Sequence, residues 1–261
     1  MKIWSVSNQK GGVGKTTTSI SLAGLLAQRG QRTLLVDIDP HGSLTSYLGH
    51  DPEHTTAGVY DLFTGEGCEP LALVAETACD GLDLLPASTA LATLDRQLGV
   101  RGGMGLVLKT ALQRLEDRYH HVIIDCPPML GVLLVNALAA SDFLIIPVQT
   151  EFLALKGLER MLHTLQMVQR ARPTKLPYLI VPTMFDRRTK ASPRSLDTLI
   201  RTYPHALWDG VIPIDTQLRE ASLAGQPVCR IAPWSRAARA YAELLDYIES
   251  HGISDPAVVN A

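Results

Sequence analysis

A doubly wound α/β fold, a mostly parallel sheet with helices on both faces, is what the sequence predicts. Two observations carry that expectation. Short apolar runs recur and end in polar or acidic residues: Ile3–Val6, Arg32–Asp37, Leu82–Leu85, His121–Asp125, Asp142–Val148 and Tyr178–Met184. Runs apolar throughout, rather than alternating, suit strands buried on both faces of a parallel sheet. The first run is followed by a glycine-rich stretch, a helical pattern and the second run, which together make one βαβ unit. A chain of 261 residues, 46% of them hydrophobic, fits a single large domain over residues 1–261.

The glycine stretch carries the chemistry. Lys10-Gly11-Gly12-Val13-Gly14-Lys15-Thr16-Thr17 links the first strand to a helix running to about Arg29, ahead of Gly30. Strand, glycine loop and helix form the setting of a phosphate-binding loop. Glycines let successive N–H groups turn toward phosphate oxygens, and the helix N-terminus adds partial positive charge. Lys15 is placed to reach the β- and γ-phosphates, and Thr16 offers a hydroxyl to Mg²⁺. The loop departs from the common pattern, which has its first glycine where Gln9 stands, and it begins with a second lysine. Lys10 and Lys15 repel each other unless an anion lies between them, as a triphosphate would.

Downstream, Asp37-Ile38-Asp39-Pro40 closes the second strand, where ligands bind in open α/β sheets. Asp125-Cys126-Pro127-Pro128 closes another apolar strand, a pattern that places Asp125 beside Mg²⁺. A helix is expected near Thr89–Leu98, a break at Arg101–Gly105, an amphipathic helix over Leu106–Asp117, and a helix over 152–171 whose apolar stripe faces the sheet. Val211–Pro213 reads as the end of a last strand, and Trp234–Glu249 as a closing helix.

Net charge is −2 overall but unevenly spread: residues 1–150 carry 10 Lys/Arg and 15 Asp/Glu, whereas 156–201 carry 10 and 3. The basic segment suggests an anionic partner. Four cysteines without a Cys-x-x-Cys pair read as free thiols. No apolar run reaches membrane-spanning length, and the closing helix ends in Glu243, Asp246 and Glu249, so a membrane partner is disfavoured.

The motif K-G-G-V-G-K-T-T resembles the deviant Walker A box of the ParA/MinD family of ATPases, and the resemblance extends over nearly the whole chain. It implies a P-loop NTPase fold, ATP and Mg²⁺ as cofactors, and weak Mg-dependent ATPase activity. It also implies a sandwich homodimer in which Lys10 of one subunit reaches the phosphates held by the other. Asp37-Ile38-Asp39-Pro40 is similar to the family's first switch, so Asp39 orients the attacking water and Asp37 supports the Mg²⁺ shell. His41-Gly42-Ser43 stands where Gln-Gly-Asn is usual. Met184 in Thr183-Met184-Phe185-Asp186 is expected near the adenine, with Pro213, Ile214 and Asp215 on the adenine-side loop. Arg187, Arg188, Lys190 and Arg219 are candidates for non-specific DNA contact, although Gln217 replaces an arginine found in chromosomal relatives. With no N-terminal extension expected, the resemblance implies a cytoplasmic, nucleoid- or pole-associated switch. With an unidentified protein partner or cargo adaptor, it would position polar chemosensory or flagellar assemblies, or chromosome or plasmid partition complexes. The alternatives are a hydrolysis-poor scaffold and a metal or metabolic ATPase of the same superfamily.

Overall fold

The computed structural model describes residues 1–65, 67–98 and 104–251. In chain order the elements are β1 (Lys2–Val6), α1 (Lys15–Gln28), β2 (Thr33–Asp37), α2 (Ser43–Tyr47), α3 (Val59–Thr64), β3 (Ala75–Glu76), β4 (Leu82–Leu85), α4 (Leu91–Leu98), α5 (Val107–Gln113), β5 (His121–Asp125), α6 (Val132–Ala140), β6 (Phe143–Gln149), α7 (Phe152–Gln169), β7 (Tyr178–Thr183), α8 (Ala191–Thr202), α9 (Gln217–Leu223), α10 (Val228–Ile231) and α11 (Arg236–His251). Seven strands form one sheet in the order β3-β4-β2-β5-β1-β6-β7. Every pairing is parallel except β3 with β4.

Alternate residues of each strand serve opposite faces, as the pleat requires. Val122 and Ile124 of β5 join one core with Leu133, Leu158 and Leu165 of α6 and α7. Ile123 joins the other core with Ile20 and Leu22 of α1 and Tyr241 and Leu244 of α11. Two-sided burial is why the strands read as continuous apolar runs.

Several expectations need correction. Val211–Pro213 is no strand; it makes one isolated bridge, Phe185 with Pro213, and the Ile212 N–H donates to the Pro182 carbonyl at 2.8 Å. The proline ring removes the donor that would extend a ladder. Helix α5 stops at Gln113, because the bonds then tighten to three-residue spacing, Leu115 N–H to Leu112 O at 2.9 Å. The antiparallel edge strand β3 and helix α6 were not anticipated, and the closing helix begins at Arg236. The break expected at Arg101–Gly105 lies mostly outside the described residues.

One core residue makes stability depend on acidity. His121 of β5 is buried edge-on to Trp4, ring centroids 5.0 Å apart, and neither ring nitrogen has a partner. Burial, then the nearby Lys2 charge, lowers its pKa to about 4. The folded state therefore holds the neutral ring, whereas the unfolded chain takes up a proton below about pH 6.5. Stability is complete above that pH and falls as pH drops from 6.5 to 4, by roughly 2–3 kcal/mol. Urea unfolding at pH 7 and pH 4.5 should show this loss, and a His121→Gln variant should show a markedly smaller one. Equal losses in both proteins would remove His121 as the cause.

Candidate functional site

The order of strands reverses around β1, whose carboxyl end carries the loop Lys10–Gly14 between the ends of β5 and β6. Such a switch point opens a crevice at the carboxyl edge of a sheet. Gly12 and Gly14 have φ of 72° and 90°, where a Cβ is strained, and a Cβ built on Gly11, Gly12 or Gly14 meets nothing within 4 Å. The loop is thus a concave run of backbone open to a ligand. Helix α1 has no acidic residue in its first turn, so its N-terminal N–H groups keep their full attraction for an anion.

Lys15 is only 8% exposed, and its ammonium reaches back over the loop to the Lys10 carbonyl at 3.4 Å. It makes no ion pair among the described residues. The Thr16 hydroxyl donates to Asp125 Oδ2 at 2.6 Å and that of Ser19 to Oδ1 at 3.0 Å. Asp37 lies beside Asp125 in register on β2. Burial and the Asp125 charge push the Asp37 carboxyl up to about 7, and burial pushes Asp125 up to about 6. Two buried carboxylates next to a threonine hydroxyl form an oxygen set short of a cation, which fits Mg²⁺.

Asp37 is more engaged than its sequence position suggests. The Asp39 N–H donates to its Oδ1 at 3.1 Å, and the Thr45 N–H and hydroxyl donate to Oδ2 at 2.8 and 2.7 Å. The Thr45 hydroxyl also accepts the Ala87 N–H at 2.9 Å. Asp37 thereby anchors the segment that carries Asp39. Asp39 Oδ1 takes the His41 N–H at 3.1 Å and faces His41 Nδ1 at 3.0 Å. The imidazole at the unusual position thus shares the carboxylate expected to orient water.

A cavity of about 540 Å³ gathers seven expected nucleotide contacts, Gly14, Thr16, Thr17, Met184, Pro213, Ile214 and Asp215, together with Tyr47, Leu218, Arg219 and Tyr241. That volume suits a nucleoside. Met184 has φ of 52°, a left-handed conformation that no other non-glycine among the described residues adopts. Strain of this kind persists where surrounding structure over-determines a functional turn. Val13, buried under the loop, accepts the Thr183 hydroxyl through its carbonyl at 2.8 Å, tying loop to β7. The Asp215 side chain, also on this cavity, is held by backbone N–H groups. Its Oδ1 accepts the Gln217 N–H at 3.0 Å and its Oδ2 the Ala237 N–H at 3.1 Å, so it caps two helices.

Lys10 does not approach phosphate space within its own chain. Its ammonium pairs with Glu151 and donates to Gln149 Oε1 at 3.3 Å, at the end of β6. Helix α7 comes close enough that a Cβ on Gly157 would lie 2.9 Å from Lys10 Cβ. Met129 and Leu130 follow β5, and Phe152 and Leu153 follow β6. They flank the loop and are exposed, Met129 by 71% and Phe152 by 72%. Their apolar character at a ligand-bearing edge was the available sequence signal.

The four expected DNA contacts separate. Arg187 and Arg188 share a second cavity; Arg219 lies on the base cavity; Lys190 is exposed at the start of α8. Arg188 holds Asp186 through Nε and Nη2, both at 2.9 Å, and keeps that carboxyl down at about 2.

A family model described as an AAA domain matches residues 1–177. Sporulation initiation inhibitor protein Soj of Bacillus subtilis is 38% identical over 252 residues, covering 96% of this chain and 99% of that one. Chromosome partitioning protein ParA of Caulobacter vibrioides is 37% identical, covering 87% and 86%. Among solved structures, a cobyrinic acid a,c-diamide synthase from Mycobacterium smegmatis with bound ATP analog and magnesium superposes with a TM-score of 0.84 at 36% identity, covering 99% and 98%. With its glycine loop, its carboxylate-ended strands and this degree of identity over nearly the whole chain, the protein belongs to the ParA/MinD family of ATPases.

Proposed function

We propose that the chain is a ParA-like partition ATPase, an ATP-dependent dimeric switch that carries or positions a large intracellular cargo. The observation that carries this reading is the Thr16–Asp125 pair under an open glycine loop, with Lys10 on an apolar rim. Gly11–Gly14 and Lys15 hold the triphosphate, and Met184, Pro213 and Ile214 enclose the base. Thr16 and Asp125 hold Mg²⁺, braced by Asp37. When bound, the cation neutralises phosphate charge and orients the terminal phosphoryl group.

Met129, Leu130, Phe152 and Leu153 supply apolar surface for a second copy of the chain. Across that contact Lys10 leaves Glu151 for the partner's phosphates, an exchange favoured only when a γ-phosphate offers the stronger counter-charge in a water-poor interface. Asp39 holds the attacking water. The name of the Caulobacter relative, a chromosome partitioning protein, favours a partition complex as cargo over a polar protein assembly; in this reading DNA is the carrier surface and a protein partner the activator. The name of the Mycobacterium structure supports one other reading, a ligase-type metabolic ATPase.

Light scattering with ATP and with ADP, together with turnover with and without duplex DNA, tests the proposal. Dimers only with ATP, and turnover raised by DNA and a partner, are expected. Turnover that requires a small carboxylate instead would favour the metabolic reading. Lys10→Ala should bind ATP normally yet raise the dimer dissociation constant at least about 30-fold, the effect of removing one water-excluded charge pair per site. A Lys10→Ala protein that dimerises with ATP as the wild type does would refute the cross-subunit role.

A further inference from the structure

Arg219, grouped by sequence with Arg187, Arg188 and Lys190, lines a different space. Helix α9 turns Leu218, Arg219 and Ser222 toward the nucleotide cavity, which Thr17 of α1 and Tyr47 of α2 also line. Positions i, i+1 and i+4 make one stripe on a helix. Gln217, two residues before Arg219, falls on another side and lines neither cavity. Pro213, Ile214 and Asp215 line the nucleotide cavity on one side and the cavity of Arg187 and Arg188 on the other. That three-residue wall keeps Arg219 apart from the other two arginines.

Charge and rigidity suit this position to a phosphate. The Arg219 guanidinium has no hydrogen-bond or ion-pair partner among the described residues. Among those residues it is the one cation lining the cavity, and Asp215 is the one carboxylate. Both Asp215 oxygens are taken, by the N–H groups of Gln217 and Ala237. Helix α9 is held at both ends. Asp215 accepts the Gln217 N–H at its start, and the Tyr47 hydroxyl donates to the Gln226 carbonyl at 3.0 Å beyond its end. A planar fork of donors on a fixed helix, with no carboxylate to neutralise it, matches a pair of phosphate oxygens.

The run of the nucleotide decides which phosphate. Gly14, Thr16 and Thr17 mark one end of the cavity, and Met184, Pro213 and Ile214 the end that encloses the base. Lys15, assigned to the β- and γ-phosphates, does not line this cavity. The stretch left beside α9 is the ribose and the α-phosphate.

We propose that Arg219 holds the α-phosphate of ATP and of ADP, as a nucleotide contact and not a DNA contact. The inference rests on the reading of this cavity as the nucleotide site and adds a residue to it. The α-phosphate survives hydrolysis, so the contact does not distinguish fuel from product. It sets how long ADP stays after turnover, and so how soon the switch reloads.

The test uses the full chain as Arg219→Gln and as Arg219→Lys. The side chain is exposed, so its replacement leaves the core intact. Arg219→Gln should weaken a fluorescent ATP analogue and ADP by the same factor, about tenfold, the lower end of what a hydrogen bond to a charged group contributes. Most of that factor should appear as faster ADP release in stopped-flow, about tenfold. In steady-state turnover the loss should fall on KM and not on kcat. Arg219→Lys keeps the charge without the fork and should stay within about threefold of wild type. The slope of log DNA affinity against log salt, at saturating ATP, should match wild type.

Unchanged nucleotide affinity in Arg219→Gln would overturn the proposal, and a DNA salt slope shallower by about 0.9 in the same protein would return Arg219 to DNA. A loss confined to ATP would move the guanidinium to the γ-phosphate, and a fall in kcat at constant KM would move it to the chemical step; either overturns the assignment. Lys15→Ala is the control. If it also left affinity unchanged, the reading of the cavity as the nucleotide site would fail together with this proposal.

Discussion

Lys15→Ala is expected to weaken ATP binding by about 10²–10³-fold while the protein stays folded. The lysine is nearly buried and begins α1; its ammonium hydrogen-bonds a carbonyl and makes no direct ion pair, the Asp125 carboxylate acting on it only at longer range. A cation left unmatched in a concave loop is stabilised by an arriving phosphate far more than a solvated surface lysine would be. Removing one charge-assisted hydrogen bond of this type costs about 3–4 kcal/mol, which sets the stated factor. Folding should not suffer, since alanine removes a buried charge that has no direct ion pair and keeps helix propensity. Titration with a fluorescent ATP analogue in Mg²⁺ checks affinity, and thermal unfolding without nucleotide checks the fold. Affinity within threefold of wild type would end the assignment of Lys15 to the phosphates.

Asp39→Ala should bind ATP and dimerise, yet turn over about 10²–10³-fold more slowly, the range associated with removing a positioned base or water-orienting group. The carboxylate sits at the end of a segment pinned by Asp37 and Thr45, so it is held in place rather than free to swing. One oxygen is already shared with His41, leaving the other for water. Single-turnover hydrolysis in preformed dimers separates the chemical step from association. Normal turnover would show that another group orients the water. In the same assay His41→Gln should raise turnover severalfold, because the imidazole no longer competes for Oδ1; a fall would show that His41 assists Asp39 instead.

The sequence was informative wherever function depends on neighbours along the chain. Glycine spacing fixes a concave backbone, and an apolar run closing in Asp places a carboxylate at the sheet edge, because both are set by local dihedrals and pleat. Thr16 and Asp125 could each be assigned to Mg²⁺ in advance for that reason, whereas the hydrogen bond between them, 109 positions apart, depends on the order of the strands. Where the signal was weak, the reading failed. Val211–Pro213 looked like a strand because it is apolar, but a proline and a single bridge leave it a loop.

Tertiary structure decided what lies far apart in sequence. The Lys10–Glu151 pair, the grip of Thr45 on Asp37 and on Ala87, the apolar rim from two separate strands, and the three-residue wall between two cavities have no local signature. They exist because a parallel sheet brings the carboxyl ends of distant strands to one edge, where groups 42 to 141 positions apart compete for the same few ångströms.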